Sequence, residues 1–284
     1  MRVGCLILSI LFVSLCAIAS ESVIYTTDLD KQRFGQYIDY IQTKERTPQA
    51  VLMATADFFL TVPYVASTLE KEPEGLVVNL RELDCTTFVE TVLSLSKTVL
   101  DGEPTFESFC INLQLFRYRH GIIDGYTSRL HYTTDWIYDN SLKGLIKDIT
   151  QQIGGEALPV SVSFMSENPD KYKSLKGDSL RIEKMATIEQ SINKRSYYYI
   201  PKERIDALRN GIQEGDMIAF VTSIKGLDVS HVGLAKWKDG ELTFIHASSS
   251  HKKVIVEPRT LHQYAEAIKS NKGIIVVRPV FSEN

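Results

Sequence analysis

Apolar residues in the first third of the chain recur at helical spacing. Phe34, Tyr37, Ile38 and Ile41 fall at i, i+3, i+4 and i+7, which is one buried helix face. Thr47-Pro48 reads as an N-cap followed by proline at the first helical position. Leu76 to Leu80 reads as a short strand. Asp84 then caps a strongly periodic helix whose apolar face carries Phe88, Val89, Val92, Leu93 and Leu95. From Thr105 to about Tyr199 the pattern turns irregular and polar, with local aromatic clusters, so residues 105–200 are expected to be an insertion of loops and short helices. Within it, the Lys-rich but mixed-charge stretch Asp170 to Lys184 reads as a solvated face. The last eighty residues change period. Asp216 to Val221, His231 to Trp237, Leu242 to Ala247, Val254 to Val256 and Ile274 to Val277 are short strand-like runs, and Asp239-Gly240 is a strong hairpin turn. Helices first and strands last predict an α+β fold, with helices packed on a largely antiparallel sheet.

Composition narrows the class. The chain has 284 residues, 44% hydrophobic, 24% charged and 10% aromatic, the mix of a globular protein with a sizeable core. With 32 Lys and Arg against 35 Asp and Glu, the net charge of -3 leaves no electrostatic footprint for nucleic acid or for anionic membrane. Arg2 followed by the almost wholly apolar run Cys5 to Ala17 and by Ala17-Ile18-Ala19 reads as a signal peptide over residues 1–19. The run is too short to span a bilayer comfortably, and Leu15 before Cys16 disfavours a lipid anchor. The expected mature chain, 20–284, is exported, with no stable membrane insertion, and forms one domain whose residues 20–75 are helical. It keeps two cysteines, Cys85 and Cys110.

Cys85 follows the cap Asp84 in the first turn of its helix, where unpaired amides and the helix dipole favour a thiolate. That makes it a suitable mount for a nucleophile. A Cys85–Cys110 disulfide is the competing structural reading in an exported protein. The hairpin adds two imidazoles. With a two-residue loop at Asp239-Gly240, Lys238 faces Glu241, Gly233 faces His246 and His231 faces Ser248. His231 and His246 are then diagonal neighbours on one face, while Val232, Leu234, Ile245 and Ala247 share the other. A three-residue loop would put the histidines on opposite faces. A cysteine, an imidazole base and a third group to orient that base are the parts of nucleophilic cysteine chemistry. The same three residues could ligate zinc, although no His-Glu-x-x-His or Cys-x-x-Cys pattern accompanies them. No Gly-x-Ser-x-Gly elbow and no phosphate-binding glycine loop is present.

Arg129-Leu130-His131-Tyr132-Thr133-Thr134-Asp135-Trp136 gathers a cation, an imidazole, a carboxylate and two rings in eight residues. Sugar and peptide sites need such groups, but so does a helix with its rings in the core and its charges outside.

Several short motifs resemble those of the NlpC/P60 superfamily of papain-like α+β folds. They are Asp84-Cys85-Thr86-Thr87-Phe88-Val89-Glu90, Gly215-Asp216-Met217-Ile218-Ala219-Phe220, Ser230-His231-Val232-Gly233-Leu234 and Ile245-His246-Ala247-Ser248. Within it the chain most resembles the DUF1460 branch of N-acetylmuramoyl-L-alanine amidase-like proteins, through Ser128 to Asn140 and Gly226-Leu227-Asp228-Val229-Ser230-His231. The resemblance implies a periplasmic amidase that cuts between N-acetylmuramic acid and L-alanine in peptidoglycan or muropeptides, in this branch with 1,6-anhydro ends. It implies Cys85 as nucleophile, His231 as base, His246 as orienting residue, and no metal or organic cofactor. Asp84, Arg129, His131, Tyr132, Asp135, Trp136 and Ser230 are the candidate substrate-binding residues. Thr86-Thr87 replace the Ser or Gly pair that follows the cysteine in many endopeptidases of the superfamily, so their specificity for a D-glutamyl bond is not carried over; a stem-peptide endopeptidase is still the enzymatic alternative. A non-catalytic wall-binding module with the disulfide is the other.

Overall fold

The computed structural model describes residues 23–281. The expected signal peptide and its cleavage position lie outside the described residues. In chain order the elements are β1 (Ile24–Tyr25), α1 (Asp28–Ile41), α2 (Pro48–Phe58), β2 (Leu76–Val77), α3 (Cys85–Leu100), α4 (Phe106–Arg117), α5 (Thr133–Leu142), β3 (Ile146–Asp148), β4 (Glu156–Leu158) and α6 (Phe164–Glu167). They continue with α7 (Ser179–Ile192), β5 (Tyr197–Pro201), α8 (Ile205–Leu208), β6 (Met217–Thr222), β7 (Val229–Lys238), β8 (Glu241–Ser248), β9 (Lys253–Val256), α9 (Leu261–Ala267) and β10 (Asn271–Pro279).

Side-chain caps start α1, α2, α3, α4, α7 and α9. Thr27, Thr47, Asp84, Thr105, Asp178 and Thr260 each accept a hydrogen bond from an amide of the first turn. Each such cap is worth about 1 kcal/mol. The start of α3 is closed reciprocally: Thr87 N–H donates to Asp84 Oδ1 at 2.8 Å, and Asp84 N–H donates to Thr87 Oγ1 at 2.9 Å. The position of Cys85 is thus fixed by the two residues around it.

The main sheet runs in the order β4-β5-β10-β6-β7-β8-β9, with β3 also on β10, and every pairing is antiparallel. Strand alternation sorts its residues into two cores. Ala219, Val221, Val232, Leu234, Ile245 and Ala247 face the core that holds Phe88, Val89, Val92 and Leu93 of α3. Ile218, Phe220, Ala235, Leu242 and Phe244 face the core that holds Leu261, Tyr264 and Ala265 of α9. The sheet is therefore covered on both sides, and the expected α+β architecture holds.

Residues 105–200 are more integrated than an insertion of loops. Phe109, Cys110, Leu113 and Phe116 of α4 share the core of α3, and β5 is hydrogen-bonded to β10 within the main sheet. The segment reads as polar because its charges are buried in pairs. Arg117 meets Glu90 at 2.7 Å, with both side chains almost fully enclosed.

Candidate active site

The turn at Asp239-Gly240 has both residues at positive φ, 52° and 80°. That is the geometry of a two-residue loop whose twist matches the strands it joins. Lys238 accordingly faces Glu241 and Leu234 faces Ile245, the register expected from the sequence. At the far end of the hairpin His231 Nε2 and His246 Nδ1 are 2.6 Å apart. Gly233 makes room for this: a Cβ there would lie 2.7 Å from the Phe244 ring and 3.1 Å from His246 Cβ. A second device acts on β7. Its pairing with β6 slips between Phe220↔His231 and Val221↔Val229, leaving Ser230 as a bulge. Bulges bend a strand and re-aim its side chains.

Cys85, Thr86, His131, Tyr132, Thr133, Asp228, Ser230, His231 and Val232 line one cleft of about 180 Å³, together with Met165, Tyr172 and Leu227. Cys85 is half-buried and unpaired. Cys110 is also a free thiol, and it lines a different groove beside Ile24 and Phe106.

The electrostatics correct one expectation. Burial pushes the Cys85 thiol up to about 11, and the Asp84 carboxylate next to it adds to the rise. The backbone amides of Val232 and Thr86 and the Thr86 hydroxyl oppose that rise without overcoming it. A helix start alone therefore does not hold this sulfur as a thiolate. Burial pushes His231 down to about 4 and His246 down to about 3, the latter helped by the neighbouring imidazole. Near neutral pH the site holds a thiol beside two neutral imidazoles.

The remaining candidates divide. His131 faces the cleft, pushed down to about 3 by burial and by Arg129. Its Nε2 is 2.9 Å from the Tyr126 carbonyl, so Nε2 carries the proton and Nδ1 is an acceptor. Tyr132 also lines the cleft, while its hydroxyl donates to the buried Glu189 at 2.6 Å. Ser230 is exposed at the cleft. Asp84 has Oδ1 engaged as the helix cap.

Arg129, Asp135 and Trp136 are turned to other work. Arg129 bonds Glu70 at 2.8 Å and the Leu69 carbonyl, and its guanidinium stands over the Tyr126 ring. Asp135 is clamped between Arg119 and Arg195, each at 2.7 Å. Trp136 is buried and stacked on Phe116. None of the three lines the cleft with Cys85.

Two carboxylates at the site were not among the candidates. Asp228 accepts from the Thr134 amide and hydroxyl at 2.7 and 2.8 Å and from the Val229 amide at 2.7 Å, and burial pushes its carboxyl up. It ties the start of α5 to the start of β7. Glu257 lies 3.4 Å from His246 Nε2, just beyond β9. Its signal is the β8–β9 register, in which His246 faces Ile255 and Glu257 N–H donates to the Phe244 carbonyl. The loop between those strands has no sequence feature that fixes that register. Among the described residues, no group of three or more His, Cys, Asp or Glu side chains is disposed to hold a metal ion. No described helix is long and apolar enough to cross a membrane.

A family model for AmiA-like proteins, N-acetylmuramoyl-L-alanine amidase-like, matches residues 54–274. An N-acetylmuramoyl-L-alanine amidase from Bacteroides uniformis ATCC 8492 is 40% identical with a TM-score of 0.78, covering 82% of this chain and 98% of that one. A Bacteroides fragilis protein solved under the name of a xylanase is also 40% identical, with a TM-score of 0.74 and coverage of 79% and 99%. Protein LPG0564 from Legionella pneumophila, assigned to DUF1460, is 24% identical with a TM-score of 0.66 over 89% and 96%, and speaks for the fold alone. No curated protein matches the chain.

Proposed function

The chain belongs to the N-acetylmuramoyl-L-alanine amidase-like family, and from that membership we propose that it is an exported, periplasmic cysteine amidase cutting N-acetylmuramic acid from L-alanine in peptidoglycan or muropeptides, with 1,6-anhydro sugar ends as its preferred substrates. The observation that carries the reading is that His231, bonded to the buried His246 behind it, lines the same cleft as the Cys85 thiol.

The chemistry follows from the charge states. A thiol near 11 is a poor nucleophile by itself, so a base must take its proton as it attacks. His231 is neutral and can do so. The sulfur bonds to the lactyl carbonyl carbon, and the oxyanion is met by the Cys85 amide, a first-turn N–H with no intrahelical partner. His231 then passes its proton to the L-alanine nitrogen, the C–N bond breaks, and a thioester remains. Water attacks that thioester, giving its proton to His231, and the muramoyl acid and the thiol are released. No step needs a metal or an organic cofactor.

The name carried by the B. fragilis relative suggests glycoside cleavage, which uses two facing carboxylates. Among the described residues that line the cleft the carboxylate is Asp228, already engaged by Thr134 and Val229, and the neighbouring Asp84 is engaged as the helix cap. Incubation with a defined anhydro-muramoyl tetrapeptide, with products weighed by mass spectrometry, tests the proposal. Free sugar acid plus intact peptide is expected from the wild type and neither from Cys85→Ala. Cleavage within the peptide would make the enzyme an endopeptidase, and retained turnover in Cys85→Ala would end the nucleophile assignment.

A further inference from the structure

His246 is held from both sides. Its Nδ1 meets His231 Nε2 at 2.6 Å, and its Nε2 faces Glu257 Oε2 at 3.4 Å. Among the described residues neither His246 Nε2 nor Glu257 Oε2 has a formed hydrogen bond, and the 3.4 Å approach to each other is the one polar contact that pairs them; the two side chains are 2% and 1% exposed. An imidazole nitrogen and a carboxylate oxygen buried face to face have only each other to offset their desolvation. The carboxylate is anchored independently. Arg259 Nε donates to Glu257 Oε1 at 2.6 Å, and the Arg259 guanidinium lies 4.8 Å over Tyr264. Thr243 donates its hydroxyl to the Glu257 carbonyl at 2.7 Å.

We infer that Glu257 is a positioning residue that selects the proton arrangement of the histidine pair. A carboxylate only accepts, so His246 must carry its proton on Nε2. His246 Nδ1 is then an acceptor, and the 2.6 Å contact requires His231 to donate from Nε2. His231 Nδ1 is left with a free lone pair, the form able to take a proton from the thiol. The reverse arrangement satisfies the imidazole–imidazole bond equally well but places an N–H at His231 Nδ1. Nothing within the pair distinguishes the two; the carboxylate behind it does. The inference rests on the reading of His231 as base.

Arg259 makes the idea testable with one atom. Arginine only donates, so in Glu257→Gln the amide oxygen stays with Arg259 and the NH₂ faces His246 Nε2. The whole chain of protons then inverts. Nitrogen-15 NMR of the mature chain labelled at histidine is expected to show His246 protonated at Nε2 in the wild type and at Nδ1 in Glu257→Gln. On the muramoyl-peptide substrate, kcat should fall by about 10²-fold, at the low end of what a general base contributes, with KM within about twofold. Adding Arg259→Ala removes the 2.6 Å contact and leaves the oxygen only the long 3.3 Å bond from the backbone amide of residue 259, so the amide can turn over and several-fold of the lost kcat should be recovered. A purely structural role for Glu257 predicts the opposite, a further loss in the double variant. An unchanged His246 tautomer in Glu257→Gln, or an unchanged kcat, overturns the inference. The tautomer measurement needs no substrate, so a wild type inactive on muramoyl peptides would sink the amidase reading while leaving this one to be judged separately.

Discussion

The β7–β8 hairpin and the stretch from Arg129 to Trp136 are both rich in polar and aromatic groups, yet they use them in opposite ways. In the hairpin, His231 and His246 are fifteen residues apart, and they find each other through a two-residue turn. In the stretch, Arg129 finds Glu70 and Asp135 finds Arg195, partners 59 and 60 residues away. The hairpin delivers His231 to the cleft, with His246 bonded behind it. The stretch neutralises most of its own polar groups inside the fold and leaves only His131, Tyr132 and Thr133 facing Cys85. A dense cluster of functional side chains in sequence is thus not a site; what matters is whether each group's partner is a substrate or another residue.

The largest expected contrast is between His231→Ala and Arg129→Ala. The first should lower kcat by about 10³-fold and leave the thermal midpoint within a few degrees, because it removes a base from a cleft. The second should do the reverse. It leaves Glu70 and Glu74 without their cation, and breaking a buried ion pair costs about 3 kcal/mol, or about 10 °C in a domain of this size. Its kcat at a temperature where it stays folded should remain within about threefold. Calorimetry beside steady-state kinetics checks both, and loss of kcat in folded Arg129→Ala would return that side chain to the substrate site.

Gly233→Ala probes the packing behind the histidines. The added methyl would sit 2.7 Å from the Phe244 ring, 2.9 Å from the Ile245 carbonyl and 3.1 Å from His246 Cβ, so the Phe244 ring or the β8 backbone must shift, and His246 is displaced with them by at least a few tenths of an ångström. Overpacking of this kind costs about 1–3 kcal/mol. A shift of the imidazole should lower kcat by at least about tenfold, since misplacement by about 1 Å costs on the order of 10² in rate. An unaltered kcat would mean that the pair tolerates a looser geometry than the 2.6 Å contact implies.

Acid should separate the two regions as well. Burial pushes His231 down to about 4, and His131 and His246 down to about 3, whereas an unfolded chain titrates near 6.5. Above about 6.5 the folded and unfolded chains bind the same protons and the stability from these groups is full. As pH falls below about 6.5 the unfolded chain takes protons that the native chain refuses, and stability is lost down to about 4 for His231 and about 3 for His131 and His246, at up to about 1.4 kcal/mol per pH unit for each histidine. Urea unfolding at pH 7, 6, 5 and 4 should show this slope, and His131→Gln should remove one histidine's share. The kcat should be flat through neutrality and fall near pH 4 as His231 becomes protonated. A rate that falls near pH 6.5 would place the base in water rather than in the fold.

What was legible in the sequence follows the range of the forces involved. The caps at Thr47 and Asp84, the apolar face of α3 and the hairpin register are set by neighbours within a few residues, and each is present as expected. The state of Cys85 was not legible. The helix start lies in the local sequence, but the burial that outweighs it comes from α3, β7 and the stretch between residues 131 and 172 meeting around the sulfur. Glu257 was hidden for the same reason: β9 offers three apolar residues, and its register depends on a loop, Ser249 to Lys252, without a defining turn signal. The buried pairs of residues 105–200 disguised core as insertion, because a paired arginine reads in sequence like a solvated one.

The smallest effect sharpens the part of the comparison that rests on the turn. Gly240 has φ of 80°, and a Cβ there meets nothing within 4 Å, so Gly240→Ala isolates the backbone term. A non-glycine residue at left-handed φ costs about 1–2 kcal/mol. If the turn alone chose the register, that penalty could move the hairpin to a three-residue loop, separate the two imidazoles and abolish turnover. The strands argue otherwise. A one-residue slip would also turn one strand over: on β8 it would take Ile245 and Ala247 out of the α3 core and Leu242 and Phe244 out of the α9 core, and each buried apolar side chain larger than alanine contributes about 1.5–3 kcal/mol. The burial outweighs the strain several times over. Gly240→Ala is therefore expected to lose about 1 kcal/mol in urea unfolding, keep the His231–His246 contact and retain kcat within about twofold; a collapse of kcat with only that small loss of stability would show the turn, and not the core, to be what brings the histidines together.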